Sequence, residues 1–407
     1  MKKNKIGVIA DDFTGACDAA SFLRKAGQNV TLYTKLPETF DPEADAYVIA
    51  LKTRSVLPQQ AVHETLTVLF ALKALVQTIY FKYCSTFDST PKGNIGPVCD
   101  ALMENMNVPY TILAPSLPIN GRTVKDGLLY VNGILLHESP LKDHPLNPMW
   151  DADIQVLMAS QSKYPCHKVS MEQLCSKQIE KWKQESSHFY LIPDYVTDKD
   201  ARQIASYFRG YPLLTGGSGL LEFLPSPKQK IQNPQKIQSE KTVILCGSCS
   251  QKTKEQIDYY RKNGGAFWAV SGQKLYEKEM DVSCIEKKLL DTNEPILIYS
   301  DAIDQDMSIL RTQKYFLAHA KAIEQCMANL ARFCIHHHVD RLVIGGGETS
   351  GAVLQALGIT TFKVGSSIAP GVPALVPVYE KKPVFFLKSG NFGQEDFFVK
   401  ALEDVYV

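Results

Sequence analysis

Asp11 and Asp12 stand side by side directly after an apolar run and before a helix-like stretch, in the segment IGVIADDFTGACDAA. Near the far end of the chain, LVIGGGETSGAVLQALG repeats that strand-to-helix pattern with Gly345, Gly346 and Gly347 at the junction. Adjacent carboxylates can bind substrate hydroxyls and accept a proton. Bare backbone N–H groups at a helix start suit a phosphate, because unpaired donors and the helix dipole both favour an anion there. A carboxylate site and a phosphate site on separate halves of one chain imply a two-domain kinase.

Other chemically able residues gather where strand-like runs end. Thr53-Arg54-Ser55 follows AYVIAL (46–51), the segment from Ser85 to Asn94 follows TIYFKYC (78–84), and Pro115 to Asp126 follows YTILAP (110–115). Arg54, Lys82 and Arg122 are the cations suited to a carboxylate, since the arginine fork donates two parallel hydrogen bonds to its two oxygens. Asp12 and Asp88 are candidates to bind hydroxyls and take the proton of the attacking one. Both also precede helix-like or turn residues, so an N-cap is their alternative role, and Asp11 shares that ambiguity. Asn120, Gly121 and Asp126 fit either a hydroxyl-binding loop or a plain turn, and His144 either orients a partner or lies on the surface. The run Gly345 to Gly351 is the sharpest phosphate signal. It is not a Walker A loop, lacking Gly-Lys-Ser/Thr at the required spacing, and it is not G-x-G-x-x-G in the N-terminal βαβ position. Gly247-Ser248 and Lys388-Ser389-Gly390-Asn391 offer small groups at neighbouring strand ends, or simple turns.

These groups need a scaffold, and the pattern supplies one. Strands are expected at 5–10, 29–34, 46–51, 78–84, 110–115, 188–192 and 211–215, with helices at 14–26, 58–76 and 96–106. Residues 226–240 are polar and rich in proline, lysine and glutamine, as a linker would be. Beyond them, strands are expected from 242 and at 295–299, 341–344, 361–364 and 383–388, with a long helix near 314–336. Ile368 to Pro373 reads as a rigid loop. The expected fold is α/β with two domains, residues 1–225 and 241–407, each a mostly parallel sheet flanked by helices. Ligands of such sheets bind beyond the carboxyl ends of the strands, and the active site is expected in the interdomain cleft.

The bulk numbers exclude several classes. An apolar fraction of 45% and a charged fraction of 21% describe an ordinary globular chain. Net charge is +1 without a lysine- or arginine-rich run, so neither nucleic acid nor an anionic membrane is an expected partner. No apolar stretch of membrane-spanning length is present, and a cytoplasmic location is expected. The ten cysteines read as reduced thiols. Cys246 and Cys249 form a lone C-x-x-C with no second pair, and His336, His337 and His338 point apart on a helix, so no metal site is expected.

Taken in order, the segments IADDFTGACD, LKTRS, FKYCSTFDSTPKGNIGP, APSLPINGRTVKDG, HPLNPM, TGGSGL, GSCS, GGGETSGAVLQALG, IAPGVP and LKSGNFGQEDFF resemble the four-carbon acid sugar kinase family across nearly the whole chain. The resemblance implies an N-terminal sugar-acid-binding domain and a C-terminal nucleotide-binding domain. It implies ATP-dependent phosphorylation of the terminal (C4) hydroxyl of a four-carbon sugar acid, with Mg²⁺ arriving on ATP. KYCSTFDST and the NGRTVKDG loop look most like the branch acting on 3-oxo-tetronate, with D-threonate or D-erythronate as alternatives. A non-catalytic sugar-acid sensor and a dinucleotide-dependent dehydrogenase are the rival classes. Carried over by motif, ATP contacts fall on Ser248, Gly345, Gly346, Gly347, Glu348, Thr349, Ser350 and Gly390. Substrate contacts fall on Asp11, Arg54, Lys82, Ser89, Asn120, Gly121 and Arg122, with Asp12 and Asp88 as the catalytic pair. The chain departs from the family at Cys246, usually a small residue, and at Ala374, often tryptophan. Small molecules are the implied partners, and a homo-oligomer is compatible with the sequence.

Overall fold

A computed structural model describes residues 5–143, 148–174, 177–225, 236–237, 239–305, 315–379 and 383–406. His144 and most of the segment expected to be a linker lie outside them. The chain divides into two compact units, Met1–Lys230 and Ile231–Val407.

The strands of the first unit are β1 (Ile6–Ala10), β2 (Val30–Tyr33), β3 (Ala46–Ala50), β4 (Thr78–Lys82), β5 (Tyr110–Ala114), β6 (Arg122–Lys125), β7 (Leu128–Val131), β8 (Ile134–Leu135), β9 (Cys166–Val169), β10 (Phe189–Pro193) and β11 (Leu213–Gly216). Its helices are α1 (Phe13–Lys25), α2 (Pro58–Leu72), α3 (Ile95–Met106), α4 (Ile154–Ala159), α5 (Met171–Leu174), α6 (Gln178–Glu185) and α7 (Asp198–Tyr207). The main sheet runs β2-β3-β1-β4-β11-β5-β10-β9, and every pairing in it is parallel. Runs such as IGVIA and TIYFK are buried at every residue, as strands covered on both faces must be. β11, last in sequence, inserts between β4 and β5, matching Leu213 to Ile79 and Thr215 to Leu113.

Residues 122–135, to which the sequence reading assigned no strand, form the small antiparallel meander β6-β7-β8. Asp126 and Gly127 make its two-residue turn, both at positive φ, the twist that tight hairpins require.

The second unit holds β12 (Lys236–Ile237), β13 (Thr242–Cys246), β14 (Ala266–Val270), β15 (Ile296–Ser300), β16 (Arg341–Gly345), β17 (Thr361–Ala369), β18 (Val372–Pro377), β19 (Val384–Lys388) and β20 (Val405–Tyr406). Its helices are α8 (Gln251–Lys262), α9 (Gly272–Tyr276), α10 (Ser283–Asp291), α11 (Phe316–His336), α12 (Gly347–Leu357) and α13 (Phe397–Lys400). Its sheet order is β14-β15-β13-β16-β19-β18-β17. The first five strands are parallel and the last two antiparallel. Ile368 to Pro373, expected as a rigid loop, is the tip of the β17–β18 hairpin. β12 pairs with β20 in a separate two-stranded ribbon. The chain leaves β13 on one side and returns on the other through β16, so the switch of direction lies between these two strands. Crevices at such points are where open α/β sheets take ligands.

Candidate active site

In the first unit, the carboxyl ends of β1, β3 and β4 bring four groups together. Asp11 N–H donates to the carbonyl of Lys82 (3.0 Å) on the neighbouring strand, while Thr53 N–H donates to the carbonyl of Asp11 (2.9 Å). That backbone lattice carries Arg54 onto the two aspartates. Its Nε meets Asp11 Oδ2 at 2.9 Å, and its Nη2 meets Asp11 Oδ1 at 2.7 Å and Asp12 Oδ1 at 2.8 Å. Asp12 is also the N-cap of α1, accepting from Gly15 N–H (2.9 Å) and from Thr14 Oγ1 (3.0 Å). The capping role and the site role therefore coexist in one side chain. Burial pushes the Asp11 carboxyl up despite the Arg54 fork. Burial acts on Asp12 in the same sense, but Arg54 and Lys82, with the Thr14 and Gly15 hydrogen bonds, outweigh it and hold that carboxyl below the usual range.

Lys82 is buried, with Nζ donating to the Tyr83 carbonyl (2.9 Å) and 4.0 Å from Asp18 Oδ2. Asp18 accepts from Ser218 Oγ just past the end of β11, and its Oδ1 is a buried acceptor with no hydrogen-bond partner among the described residues. Neither Asp18 nor Ser218 was expected in the site. The only sequence signal for Asp18 was its place in DDFTGACD, about one and two-thirds helical turns past Asp12.

The β4 loop presents Asp88, whose Oδ1 accepts from Thr86 Oγ1 at 2.7 Å. Phe87, beside it, sits at φ 52 although it is not glycine, a conformation that costs about 1–3 kcal/mol. The ring is fully buried and packs edge-on against Tyr83, centroids 5.4 Å apart. Burying it offsets the strain and pins the turn that carries Asp88. Arg122, at the start of β6, donates Nη1 to the Asn120 carbonyl. Its Nε is buried with no partner among the described residues. Burial pulls its guanidinium down, while Cys84, Asp88 and Asp18 act electrostatically in the other direction. Asn120 and Gly121 form the turn leading into β6. Ser89 points away from these residues in bonding terms: it is buried and donates to Gln161 Oε1 (3.0 Å).

The second unit repeats one device. Gly346 N–H donates to the carbonyl of Lys388 (2.8 Å), as Asp11 does to Lys82. Both lysines end a central strand in register with the last residue of the strand feeding the loop, Ala10 opposite Lys82 and Gly345 opposite Lys388. Each Nζ then turns back onto the carbonyl of the next residue, 2.9 Å for Lys82 and 3.0 Å for Lys388. Lys388 reaches further, to the Gly390 carbonyl (2.9 Å) and Thr253 Oγ1 (3.1 Å). Burial pushes its ammonium down to about 8 from the ordinary 10.5. Lysine closing an apolar strand, as in VFFLK and TIYFK, was a legible signal in the sequence; for Lys388 it was passed over for the glycine beyond.

Around Lys388 the proposed nucleotide loops knit together. Gly247 and Ser248 N–H groups donate to the Gly345 carbonyl at 3.1 and 3.2 Å. Ser250 caps α8 and donates to the Gly390 carbonyl (2.7 Å). Helix α12 begins after Gly346 with no side-chain cap, and Gly347 and Glu348 are exposed. The first turn of a helix has no intrahelical acceptors for its N–H groups, which is what makes such a start suited to an anion. Thr349 and Ser350 are buried, and Ser350 Oγ bonds back to the Gly346 carbonyl (2.7 Å), so these two shape the turn.

Comparison with known proteins covers both units. Residues 6–224 match the sugar-binding N-terminal domain family and residues 243–398 the nucleotide-binding C-terminal domain family. The chain is 37% identical to the 3-oxo-tetronate kinase of Salmonella typhimurium LT2 over 420 aligned residues, covering 99% of this chain and 100% of that one. The enzymes of the same name from Haemophilus influenzae and Brucella melitensis are also 37% identical, over 97% and 98% of this chain and 98% and 95% of theirs. A solved structure from Salmonella typhimurium LT2, provisionally described as a tRNA synthase, superposes with a TM-score of 0.84 at 36% identity over 98% of each chain. A Haemophilus influenzae structure gives 0.78 at 37% identity, over 97% of this chain and 98% of that one.

Proposed function

The chain belongs to the four-carbon acid sugar kinase family, and from that premise we propose that it transfers the terminal phosphoryl group of ATP to the C4 hydroxyl of 3-oxo-tetronate. What carries the reading is full-length likeness to relatives bearing that name, with both halves of the machinery present in one chain. The tRNA synthase description of one solved relative gains nothing from a chain whose net charge is +1, since tRNA is collected largely by lysine and arginine against phosphate.

The geometry supports a division of labour in the first unit. Arg54 spends its Nε and Nη2 on Asp11 and Asp12, so its main work is to lock the two carboxylates in place. Arg122 holds a buried donor that no described residue fills, and an unsatisfied buried N–H is costly until a ligand fills it. A sugar-acid carboxylate is the natural filler. Of the two aspartates suited to act as base, Asp12 already accepts three hydrogen bonds, whereas Asp88 accepts one from Thr86. Asp88 therefore takes the hydroxyl proton, and Asp12 orients the substrate and the helix behind it. In the second unit the first-turn N–H groups of α12 and the Ser248 and Gly390 loops receive the phosphates. Phosphoryl transfer asks little covalent chemistry of a protein, so holding donors, acceptor and charge in line is the main contribution. The described residues offer no group of three His, Cys, Asp or Glu side chains for a resident ion. Mg²⁺ would come on the nucleotide, supplying charge neutralisation while keeping most of its waters.

The test is ADP release with Mg-ATP across 3-oxo-tetronate, the 2-dehydro acids, and D- and L-threonate and erythronate. Selective turnover of the 3-oxo acid is expected. Preference for a threonate or erythronate would overturn the substrate and keep the reaction. Silence across the panel, with ATP binding shown separately, would favour a sensor.

A further inference from the structure

We infer that the adenine of ATP stacks on an aromatic ledge formed by Tyr276, Tyr315 and His319 in the second unit, an assignment that rests on the nucleotide reading of the glycine loops. The ledge is built from two elements, the end of α9 and the start of α11. The Tyr276 and Tyr315 rings lie 5.6 Å apart at 27°, and His319 packs against both at 5.5 and 6.3 Å. Tyr276 is 47% and Tyr315 46% exposed, so two large π-surfaces face solvent where the core does not need them.

Their position relative to the glycine loops is what points to a nucleotide. Helix α11 passes the β13 loop at Ile323, whose Cγ2 would lie 3.4 Å from a Cβ at Gly247. One turn back, the His319 carbonyl would lie 3.0 Å from a Cβ at Gly272, the first residue of α9. Residues 315, 319 and 323 recur every four positions and share one side of the helix. At 1.5 Å per residue, the ledge begins about 6 Å from the Gly247 level and ends about 12 Å from it. A ribose and two phosphates span such an interval. Moreover, α9 follows β14 and α11 lies between β15 and β16, so the ledge stands beyond the carboxyl edge of the sheet, the same edge that carries the glycine loops. Purines stack readily on aromatic side chains, and a stack of this kind tolerates an exposed outer face.

The experiment is calorimetric titration of the full chain with ATP and, separately, with inorganic tripolyphosphate, for the wild type, Tyr276→Ala and Tyr315→Ala. The two positions are half-exposed and in different helices, so failure of one variant to fold leaves the other to decide. Each variant is expected to weaken ATP by roughly tenfold, the typical cost of losing one base–aromatic stack, with tripolyphosphate affinity unchanged. ATP bound as tightly by the folded variants as by the wild type would overturn the ledge. So would equal weakening of both ligands, which would mark a general distortion. A wild type that binds neither ligand would instead sink the nucleotide reading beneath it, a failure distinguishable because it needs no variant.

Discussion

Gly346 offers a sharp perturbation because two different costs can be separated there. Its backbone sits at φ 121, ψ 135, a region that residues with a side chain avoid. A Cβ added to it would lie 3.0 Å from Thr349 Oγ1, 3.2 Å from Ser248 N and 3.3 Å from Ser248 Cβ, so the loop has little room to yield. Gly346→Ala therefore carries about 1–3 kcal/mol of strain in the wild-type loop shape. The chain sheds that strain by leaving the shape that binds phosphate. Apparent affinity falls with the competent fraction, so the Kd for ATP should rise roughly 5- to 150-fold. Gly358→Ala is the matched control. That residue also lies at positive φ (67°), as the stop of α12, but a Cβ there meets nothing within 4 Å. It should cost about 1–2 kcal/mol of stability from handedness alone, lowering Tm by roughly 2–4 °C per kcal/mol for a domain of this size. Its ATP affinity should be unchanged. Calorimetric Kd and thermal melting of the two variants make the comparison. Wild-type ATP binding by Gly346→Ala, or equal loss in both variants, would refute the reasoning.

Other consequences follow from the first unit and from Lys388. Arg54→Lys keeps a charge but loses the fork that holds Asp11 and Asp12 together; kcat/KM for the sugar acid should fall about 10- to 100-fold with the ATP Kd unchanged, and a near-normal value would remove Arg54 from the site. Asp88→Asn should lower kcat by roughly 10²-fold or more in steady-state ADP release, whereas wild-type turnover would return the base role to Asp12. Lys388, with an ordinary value of 10.5 brought down to about 8 by burial, makes stability depend on pH in a definite direction. Between those values the unfolded chain binds the extra proton, so stability rises with pH from about 8 to 10.5, and below 8 the buried charge costs the fold about 3 kcal/mol. Denaturant titrations from pH 7 to 10 should show that rise in the wild type and not in Lys388→Met; matching curves would mean the lysine does not titrate in the window.

Much of this architecture is legible in the residue pattern, and the exceptions are instructive. Strands such as IGVIA, TVILC and YTILA announce themselves because a strand covered on both faces must be largely apolar. Asp11, Asp12, Arg54 and Asp88 stood out as candidates because polar groups at successive strand ends are hard to explain by packing. β9, β14 and the β6-β7-β8 meander were missed for the converse reason. They lie at the sheet edges or outside the main sheets, so they alternate or carry lysine and arginine, and CHKV or RTVK looks like loop. The β17–β18 hairpin was hidden by the prolines of IAPGVP, which an antiparallel pair at the margin tolerates. Within the first site, partnership was invisible. Nothing in the residue types says that Arg54 is clamped by two aspartates while Arg122 keeps a buried donor, because that depends on which loops meet. Ser218 and Asp18 are 200 residues apart in the chain, and only the insertion of β11 brings them together.

That insertion also decides when the first unit can exist at all during synthesis. β4 and β5 are made early, yet the place between them stays open until residues 213–216 leave the ribosome. Up to that moment the nascent chain carries two half-sheets, each ending in an unpaired and largely apolar inner strand. Such edges are ready templates for joining another chain, and parallel closures over long loops are slow to form. A chain stopped near residue 200 would therefore be expected to aggregate, whereas one stopped after residue 225 has every strand of the first sheet. The last-made strand is thus the keystone, and the interval before it emerges is when the protein most needs a chaperone.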